Sequence, residues 1–286
     1  MEEIIKVSQL CKSYGEKTDV DNLNLSVKQG TVVGILGANG AGKSTTFRAI
    51  LGLIHTDGGK IEILGRTPDQ LRPEDRERIG VVLADSEFSG YLSIKDLIPV
   101  LENLYSQFNR DRFVEKCEEF QLPLNKKIKE FSTGMKRKLQ VLAALSYNAE
   151  LLIMDEPTAG LDVLARDSLL QMLREYMEQE GRSILISSHI STDLEGFCDD
   201  IYMIDHGQII MHEETDVLLS DYALLKVTDE QYRDLEKEYI LRYKKEEFGY
   251  SCLTNQKQFY LENYPSIVIE KGSIDEVIMM MVRGEK

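Results

Sequence analysis

The residues that most strongly suggest chemistry form a glycine-rich stretch, GANGAGKS at residues 37–44, which satisfies the pattern G-x-x-x-x-G-K-S. It follows an apolar run and precedes a helical pattern, and this context favours a phosphate-binding loop over a glycine turn with no ligand. Glycines let several backbone N–H groups approach one anion, and the helix N-terminus adds its positive end. The predicted nucleotide-binding residues are Gly37, Asn39, Gly40, Ala41, Gly42, Lys43, Ser44 and Thr45. Lys43 would pair with the β- and γ-phosphates, Ser44 would bind Mg²⁺, and Thr45 would lie beside the α-phosphate.

A second candidate pair of residues ends an apolar strand, in the run LLIMDEP at residues 151–157. Nucleotide-binding sheets place their chemistry at the C-terminal edge of buried strands. Asp155 is a candidate Mg²⁺ ligand through a water molecule, and Glu156 is a candidate general base for an attacking water. A strand that simply meets solvent is the alternative, and the upstream phosphate loop favours the catalytic interpretation.

The elements that position these residues follow from the hydrophobic pattern. Over the first three quarters of the chain, short apolar runs alternate with helical patterns, which is typical of a layered α/β fold. The predicted strands are residues 4–7, 31–36, 60–64, 79–83, 150–154, 183–187 and 201–210, and the clearest helices are 44–53 and 162–180. We therefore predict an α/β core of the P-loop type, with both candidate motifs at strand ends.

Two segments break this alternation. Between residues 85 and 138 the strand signal disappears and apolar residues recur at helical spacing, which predicts an inserted helical subdomain. After His212, tyrosine, glutamate and lysine become frequent, so we predict a main domain over 1–215 and a small α+β appendage over 220–286.

The end of this appendage carries a sequence pattern that predicts a helix. The run SIDE at residues 273–276 is a capping box that predicts a terminal helix, which Gly284 can end. We interpret the three methionines at 279–281 as core packing. Contact with a partner protein is the alternative, because methionine-rich surfaces adapt to partners.

Composition limits the partners. A net charge of −15, from 49 acidic against 34 basic residues, repels nucleic-acid phosphate and anionic lipid, so we predict no nucleic-acid partner. No apolar run approaches the roughly 18 to 20 residues of a membrane-spanning helix, and the acidic N-terminus is unlike a signal peptide. Four widely spaced cysteines without a Cys-x-x-Cys pair predict reduced thiols. We expect a soluble, cytoplasmic protein that another protein holds at a membrane, with no direct membrane insertion.

A third motif is FSTGMKRK at residues 131–138, at the start of an apolar helix. It resembles the signature motif of ABC ATPases, usually Leu-Ser-Gly-Gly-Gln, and lies between the phosphate loop and the Asp-Glu strand, as in that family. Tyr14 matches the aromatic residue that stacks on adenine, Asp162 matches the D-loop aspartate, and His189 matches the switch histidine. The resemblance covers about residues 3–212.

This resemblance implies an ATP hydrolase that uses ATP and Mg²⁺, with Lys43, Glu156 and His189 as catalytic residues. In ABC ATPases the signature motif contacts the γ-phosphate of ATP held on the opposite subunit, so Ser132 and Gly134 would complete a partner's site. A helix N-terminus with a hydroxyl and free N–H groups suits that role physically. Asp162 would bridge the two cassettes or cap the helix that follows, and both could be true.

Two departures from the family pattern carry information. Thr133 replaces the first signature glycine and resembles the Ser-Thr-Gly-Met variant of type-2 ABC exporters, which points to export. Ala84 stands where the family commonly has a glutamine that contacts Mg²⁺ and reports the nucleotide state to the transport subunit. The neighbouring Asp85 is either a substitute Mg²⁺ ligand or a solvated loop acid.

The predicted function is the ATP-driven motor of a bacterial ABC exporter. Two cassettes, identical or paralogous, would close on two ATP molecules and drive a separate transmembrane permease at the cytoplasmic face of the membrane. The permease would dock between residues 84–97 and the helical subdomain. Antimicrobial or amphipathic peptides, or drugs, are the predicted cargo. The alternatives are a soluble ABC ATPase without a permease, a switch that closes on ATP with little turnover, and an importer cassette.

Overall fold

The computed structural model describes residues 2–285. Its strands are β1 (Glu3–Tyr14), β2 (Lys17–Lys28), β3 (Val32–Leu36), β4 (Gly58–Ile63), β5 (Ile79–Val82), β6 (Leu151–Met154), β7 (Ser183–Ser188), β8 (Asp200–Asp205), β9 (Gln208–Glu214), β10 (Ala223–Val227), β11 (Ile240–Glu246), β12 (Gly249–Thr254) and β13 (Val268–Lys271). Its α-helices are α1 (Lys43–Ile50), α2 (Pro73–Glu77), α3 (Ile94–Leu104), α4 (Arg110–Glu119), α5 (Thr133–Leu145), α6 (Val163–Met177), α7 (Ser191–Glu195), α8 (Thr215–Ser220), α9 (Asp229–Asp234), α10 (Lys257–Asn263) and α11 (Ile274–Arg283).

The central sheet has six strands in the order β5-β6-β7-β3-β8-β9, and every neighbouring pair is parallel except β8 and β9. Strands β3, β6 and β7 are buried along their whole length, which explains why their sequences are continuous apolar runs. Leu36 at the end of β3 pairs with Ser188 at the end of β7, and Met154 at the end of β6 pairs with Ile186. The residues that follow these strands therefore meet at one edge of the sheet.

A second, three-stranded antiparallel sheet covers the phosphate-loop helix. Its order is β2-β1-β4, and its apolar side chains share one core with Phe47, Ala49 and Ile50 of α1. The hydrophobic pattern predicts only four residues of β1 and none of β2. The polar residues on the outer side of both strands, together with the register shifts of β1 against β2, obscured the two-residue alternation.

The predicted single strand at 201–210 is wrong, because the structure has two strands there. β8 and β9 form an antiparallel hairpin whose turn, His206-Gly207, has positive φ at both residues, 45° and 79°. A two-residue turn of this kind fits the right-handed twist of paired strands. Aspartate and glycine flanking a histidine were the overlooked turn signal.

The segment between β5 and β6 contains α3, α4, α5 and one 3-10 turn, Ile128–Glu130, and no strand among the described residues. Ser93 and Asp96 cap α3 reciprocally, with the Ser93 N–H donating to the Asp96 carboxylate over 2.8 Å. The buried faces of α3, α4 and α5 join the apolar core on one side of the central sheet. Within residues 2–285, no helix is both long and apolar enough to cross a bilayer.

The last part of the chain forms a four-stranded antiparallel sheet in the order β11-β12-β10-β13. The predicted capping box is confirmed, since Ser273 accepts from the Glu276 N–H while the Ser273 N–H donates to Glu276 over 2.9 Å. Met280 is buried and Met281 packs against the core, whereas Met279 is exposed. The division near residue 220 and the limits of the helical subdomain stay predictions.

Candidate functional site

A cleft of about 410 Å³ opens at the edge where β3, β6 and β7 end. It is lined by Asp19, Asn39, Gly40, Gly42, Lys43, Ser44, Thr45, Ala84, Arg137, Glu156, Ala159 and His189. The predicted phosphate loop and the predicted base therefore share one cleft. Asp19 and Arg137 were not foreseen as lining residues.

The glycines of the loop 37–44 are required by its shape. Gly42 has a φ of 108°, and a Cβ there would lie 2.6 Å from the Asp19 carbonyl oxygen. A Cβ on Gly37 would lie 2.4 Å from the Ile204 carbonyl oxygen. The backbone therefore wraps closely at these positions, and α1 begins at once with Lys43. Its N-terminal end, which favours anions, lies at the cleft.

Lys43 is almost fully buried, with 5% of its side chain exposed. Its ammonium donates to the carbonyls of Gly37 over 2.6 Å and Ala38 over 3.1 Å. Its Nζ also lies 3.0 Å from Oε1 of Glu156. A buried ammonium is tolerated only when its charge is paired, and Glu156 supplies that charge.

Glu156 is held from several sides. Its backbone lies in the left-handed region, with a φ of 50°, and its N–H donates to the Ser187 hydroxyl over 2.9 Å. Oε2 lies 2.6 Å from Nδ1 of His189. Oε1 has the ionic contact with Lys43 but no hydrogen bond of good geometry within residues 2–285. A fixed, buried carboxylate oxygen with free hydrogen-bonding capacity is what a general base requires.

Asp155 shares its support with Glu156. The Ser187 hydroxyl donates to Oδ1 of Asp155 over 2.7 Å while it accepts from the Glu156 N–H. Asp155 and Ser187 are both almost fully buried. One hydroxyl thus fixes the two acidic residues, and the sequence analysis missed it. Its signal was the pair of serines, Ser187 and Ser188, that directly follows the apolar residues 184–186.

Thr45 has a partner that the sequence did not reveal. Its hydroxyl donates to Oδ2 of Asp19 over 2.6 Å, and Asp19 also pairs with Lys17 over 2.8 Å. The hydrogen bonds from Lys17 and then from Thr45 lower the pKa of Asp19. The strand β2 therefore anchors the end of the phosphate loop.

Several predicted site residues do not line this cleft: Gly37, Ala41 and the buried Asp155 lie directly behind it, and Tyr14, Ser132, Gly134 and Asp162 lie elsewhere. Tyr14 ends β1 with its ring about half exposed, and the Lys12 ammonium lies 5.2 Å from the ring centroid. Ser132 accepts from the Met135 N–H over 3.2 Å and caps α5, with Gly134 in the first turn of that helix. Asp162 accepts from the Ala165 N–H over 2.8 Å, which bears out its capping role on α6.

The loop that follows β5 departs from the metal-binding expectation. Asp85 forms an ion pair with Arg48 of α1 and does not line the cleft, whereas Ala84 does. The structure thus places this carboxylate on the outside of the loop, and it brings the guanidinium of Arg137 into the cleft instead.

The comparisons with known proteins agree with this geometry. The family model described as "ABC transporter" matches residues 20–159. The bacitracin transport ATP-binding protein of Bacillus licheniformis is 35% identical over 212 residues, which cover 73% of this chain and 69% of that protein. The chain belongs to the ATP-binding proteins of ABC transporters. The lantibiotic transport ATP-binding protein of Streptococcus pyogenes is 33% identical over 74% of this chain and 92% of its own length.

The fold comparison leads to the same family. A solved ATP-binding subunit of an ABC transporter superposes on this ABC ATPase with a TM-score of 0.67 and 27% identity, over 75% of this chain and 91% of that one. The predicted family, the α/β P-loop fold and the activity of an ATP-hydrolysing motor are confirmed. ABC ATPase cassettes dimerise and work with a transmembrane permease.

Proposed function

We propose that the cleft is the site of ATP hydrolysis and that Glu156 is its general base. The observation that carries this assignment is the Glu156 carboxylate, which is buried beside the glycine loop and held by His189, while Ser187 fixes the Glu156 backbone N–H. Its Oε1 keeps free hydrogen-bonding capacity. Among the carboxylates that line the cleft, Asp19 is already occupied by Lys17 and Thr45.

The residues of the cleft fit ATP and Mg²⁺. The loop backbone and the α1 N-terminus would take the phosphates, and the Lys43 ammonium would neutralise their charge. The Ser44 hydroxyl and the Asp155 carboxylate would hold Mg²⁺, because oxygen ligands are the ones that this ion prefers. When bound, Mg²⁺ supplies neutralisation of the phosphate charge. Asp85 is not part of this set, since it pairs with Arg48.

The chain's own residues then divide the chemistry. Glu156 orients a water and takes its proton as the water oxygen bonds to the γ-phosphorus and the bond to the ADP oxygen breaks. His189 keeps the Glu156 carboxylate in place through the 2.6 Å contact at Oε2. Tyr14 would stack on adenine at the exposed end of β1.

The residues outside the cleft fit the second cassette of a dimer. Ser132 and Asp162 are exposed, and a Cβ on Gly134 would contact Leu161 and Ala165 at 3.6 Å. The signature turn and the D-loop therefore form one surface. Next to it, the start of α6 exposes two apolar side chains, Val163 at 77% and Leu164 at 81%. This surface would contact the nucleotide of an opposed cassette, identical or paralogous.

A groove beside α3 fits the permease. It has a volume of about 310 Å³ and is lined mainly by apolar residues, among them Val81, Phe88, Leu97, Val100 and Leu104. Val100 and Leu104 are exposed at 44% and 61%. An exposed apolar groove suits an amphipathic helix from a partner. Such a partner would hold the ATPase at the cytoplasmic face of the membrane.

The cargo follows from the relatives and from one motif. The two relatives described above serve bacitracin transport and lantibiotic transport, according to their names. The run STGM at residues 132–135 resembles the variant in type-2 exporters. We therefore assign export of antimicrobial peptides or drugs to the complete transporter.

The test compares Glu156→Gln with Glu180→Gln, a control on an exposed glutamate after α6. Without its base, Glu156→Gln is expected to lose a factor of about 10² to 10⁴ in steady-state hydrolysis while ATP still binds. Light scattering should detect an ATP-bound dimer that persists in this variant. The control should match the wild type. Wild-type turnover by Glu156→Gln would overturn the assignment, and an unchanged monomer with Mg-ATP would overturn the paired-cassette arrangement.

A further inference from the structure

Arg137 is a cleft residue without a role in the chemistry described above. It lies in the second turn of α5 and lines the cleft together with Lys43, Glu156 and His189. Arg137 places a second positive charge in the cleft, beside Lys43, in a chain whose net charge is −15. Its neighbours on the helix point to other partners, since Lys136 pairs with Glu87 and the Lys138 ammonium lies over the Phe120 ring.

The guanidinium of Arg137 binds the loop that carries Ala84. Nη1 donates to the Leu83 carbonyl over 3.1 Å, and Nη2 donates to the Ala84 carbonyl over 3.1 Å. Nη1 also donates to Oε1 of Gln140 over 3.0 Å, and the Gln140 amide in turn donates to the Ser86 carbonyl. Two side chains of α5 therefore bind three backbone carbonyls of the loop, those of Leu83, Ala84 and Ser86.

This arrangement leaves part of the guanidinium free. Of its five N–H groups, three are used in these contacts, so Nε and one hydrogen of Nη2 have no partner within the described part of the chain. Burial lowers the pKa of Arg137, while Asp155, Glu87 and Glu156 act in the opposite direction. The group stays charged beside the acidic residues that surround the phosphate site.

The loop also connects the cleft with the apolar groove. Ala84 and Arg137 line the cleft, whereas Ser86 and Gln140 line the groove. The hydrogen bond from Arg137 to Gln140 therefore links a residue that lines the cleft with one that lines the groove. A shift of the guanidinium would therefore move the backbone that forms one wall of the groove.

We propose that Arg137 senses the γ-phosphate in its own cassette and transmits its presence to the 83–86 loop, the task for which this chain lacks a glutamine at Ala84. The free N–H groups bind an oxygen of the γ-phosphate, while the bound N–H groups hold the loop. With ADP the guanidinium keeps its bonds to the loop but lacks the phosphate anchor, so the guanidinium and the loop that it holds are less restrained. This inference rests on the proposed site of ATP hydrolysis and adds to it a residue that couples nucleotide state to the groove.

The test measures ATP and ADP affinity in a Glu156→Gln background, with chromatography to verify that ATP stays intact. A charge-assisted hydrogen bond contributes a factor of about 10 or more, so Arg137→Ala should weaken ATP binding by about that factor and leave ADP binding unchanged. Amide hydrogen exchange over residues 83–88 should be slower with ATP than with ADP, and this difference should vanish in Arg137→Ala.

Two further variants separate this role from a merely structural one. Arg137→Lys should keep part of the ATP preference because the charge remains, and it should lose the loop protection because one ammonium does not span both carbonyls and a phosphate. Lys138→Ala removes a cation from the same helix and should retain both properties. Equal loss of ATP and ADP binding in Arg137→Ala, or an unchanged affinity ratio and loop protection, would overturn the proposal. Hydrolysis of ATP by the Glu156→Gln background would instead refute the catalytic assignment.

Discussion

The Ser187 hydroxyl offers a sharp test of how the site is held together. It is fully buried, donates to Asp155 over 2.7 Å and accepts from the Glu156 N–H over 2.9 Å. Ser187→Ala removes both hydrogen bonds with little change in volume. The Glu156 N–H and the Asp155 Oδ1 then lose these partners in an interior from which water is largely excluded.

The expected magnitude follows from these two contacts. A hydrogen bond to a charged group contributes about 1.5 to 3 kcal/mol and one between neutral groups about 1 kcal/mol. We therefore expect the free energy of unfolding to fall by about 2 to 4 kcal/mol. The left-handed backbone of Glu156 also loses a restraint, and a misplaced base can reduce turnover by about a hundredfold.

Ser183→Ala is the matched control, because Ser183 lies on the same strand, is equally buried and accepts one hydrogen bond from the Gly30 N–H at the far end. Urea unfolding and steady-state ATP hydrolysis would be measured for both variants. We expect Ser183→Ala to lose about 1 kcal/mol and no catalytic rate per folded molecule. If Ser187→Ala retained wild-type turnover, the hydroxyl would have no part in positioning the base.

Two further predictions concern the phosphate loop and the loss of stability at low pH. Gly42→Ala should abolish ATP binding, because its Cβ would meet backbone at 2.6 Å, whereas Gly65→Ala, with a φ of 72° and open space, should bind ATP normally in a fluorescent-nucleotide titration. The pKa of Asp96 is lowered to about 2 by the Ser93 N–H, the Ser93 hydroxyl and then Lys127. A lowered pKa stabilises the fold fully above the unfolded value of about 4 and progressively less as pH falls towards about 2. Thermal unfolding would be measured between pH 5 and pH 2, where Asp96→Asn should lose less stability than the wild type. Asp111→Asn on α4 is the control. The same loss of stability with falling pH in Asp96→Asn and in the wild type would refute the contribution assigned to Asp96.

The parts of the fold that could be predicted from sequence are those where burial alone decides. Strands β3, β6 and β7 are buried on both faces, so their apolar runs are unmistakable and their bounds are nearly as predicted. β2 was missed because its outer face is polar and its pairing with β1 is irregular. The hairpin of β8 and β9 was missed because its turn is only two residues long, His206-Gly207, and interrupts an otherwise apolar run.

The site residues also divide into those that the sequence motifs predicted and those that only the folded structure shows. Lys43, Glu156 and His189 converge as the order of the motifs predicted, because parallel strands bring their C-terminal ends to one edge. Asp19 and Ser187 could not be found by spacing, since each acts on a residue 26 or more positions away through a contact that only the folded sheet creates. Arg137 lies in the FSTGMKRK motif, but its place in the cleft depends on how α5 packs beside the loop after β5, which motif spacing does not indicate.

The contact between Lys43 and Glu156 would change when ATP binds in the proposed site. The Lys43 ammonium contacts two loop carbonyls and Oε1 of Glu156, which together satisfy a buried charge. Phosphate oxygens at the loop compete for the same ammonium. In the proposed site, Lys43 turns to the phosphate and leaves Oε1 free to accept a hydrogen from water. Glu156 retains His189 and Ser187, so its position is kept while its cationic partner is lost. In the proposed site, ATP binding therefore frees the oxygen of the base that acts on the attacking water.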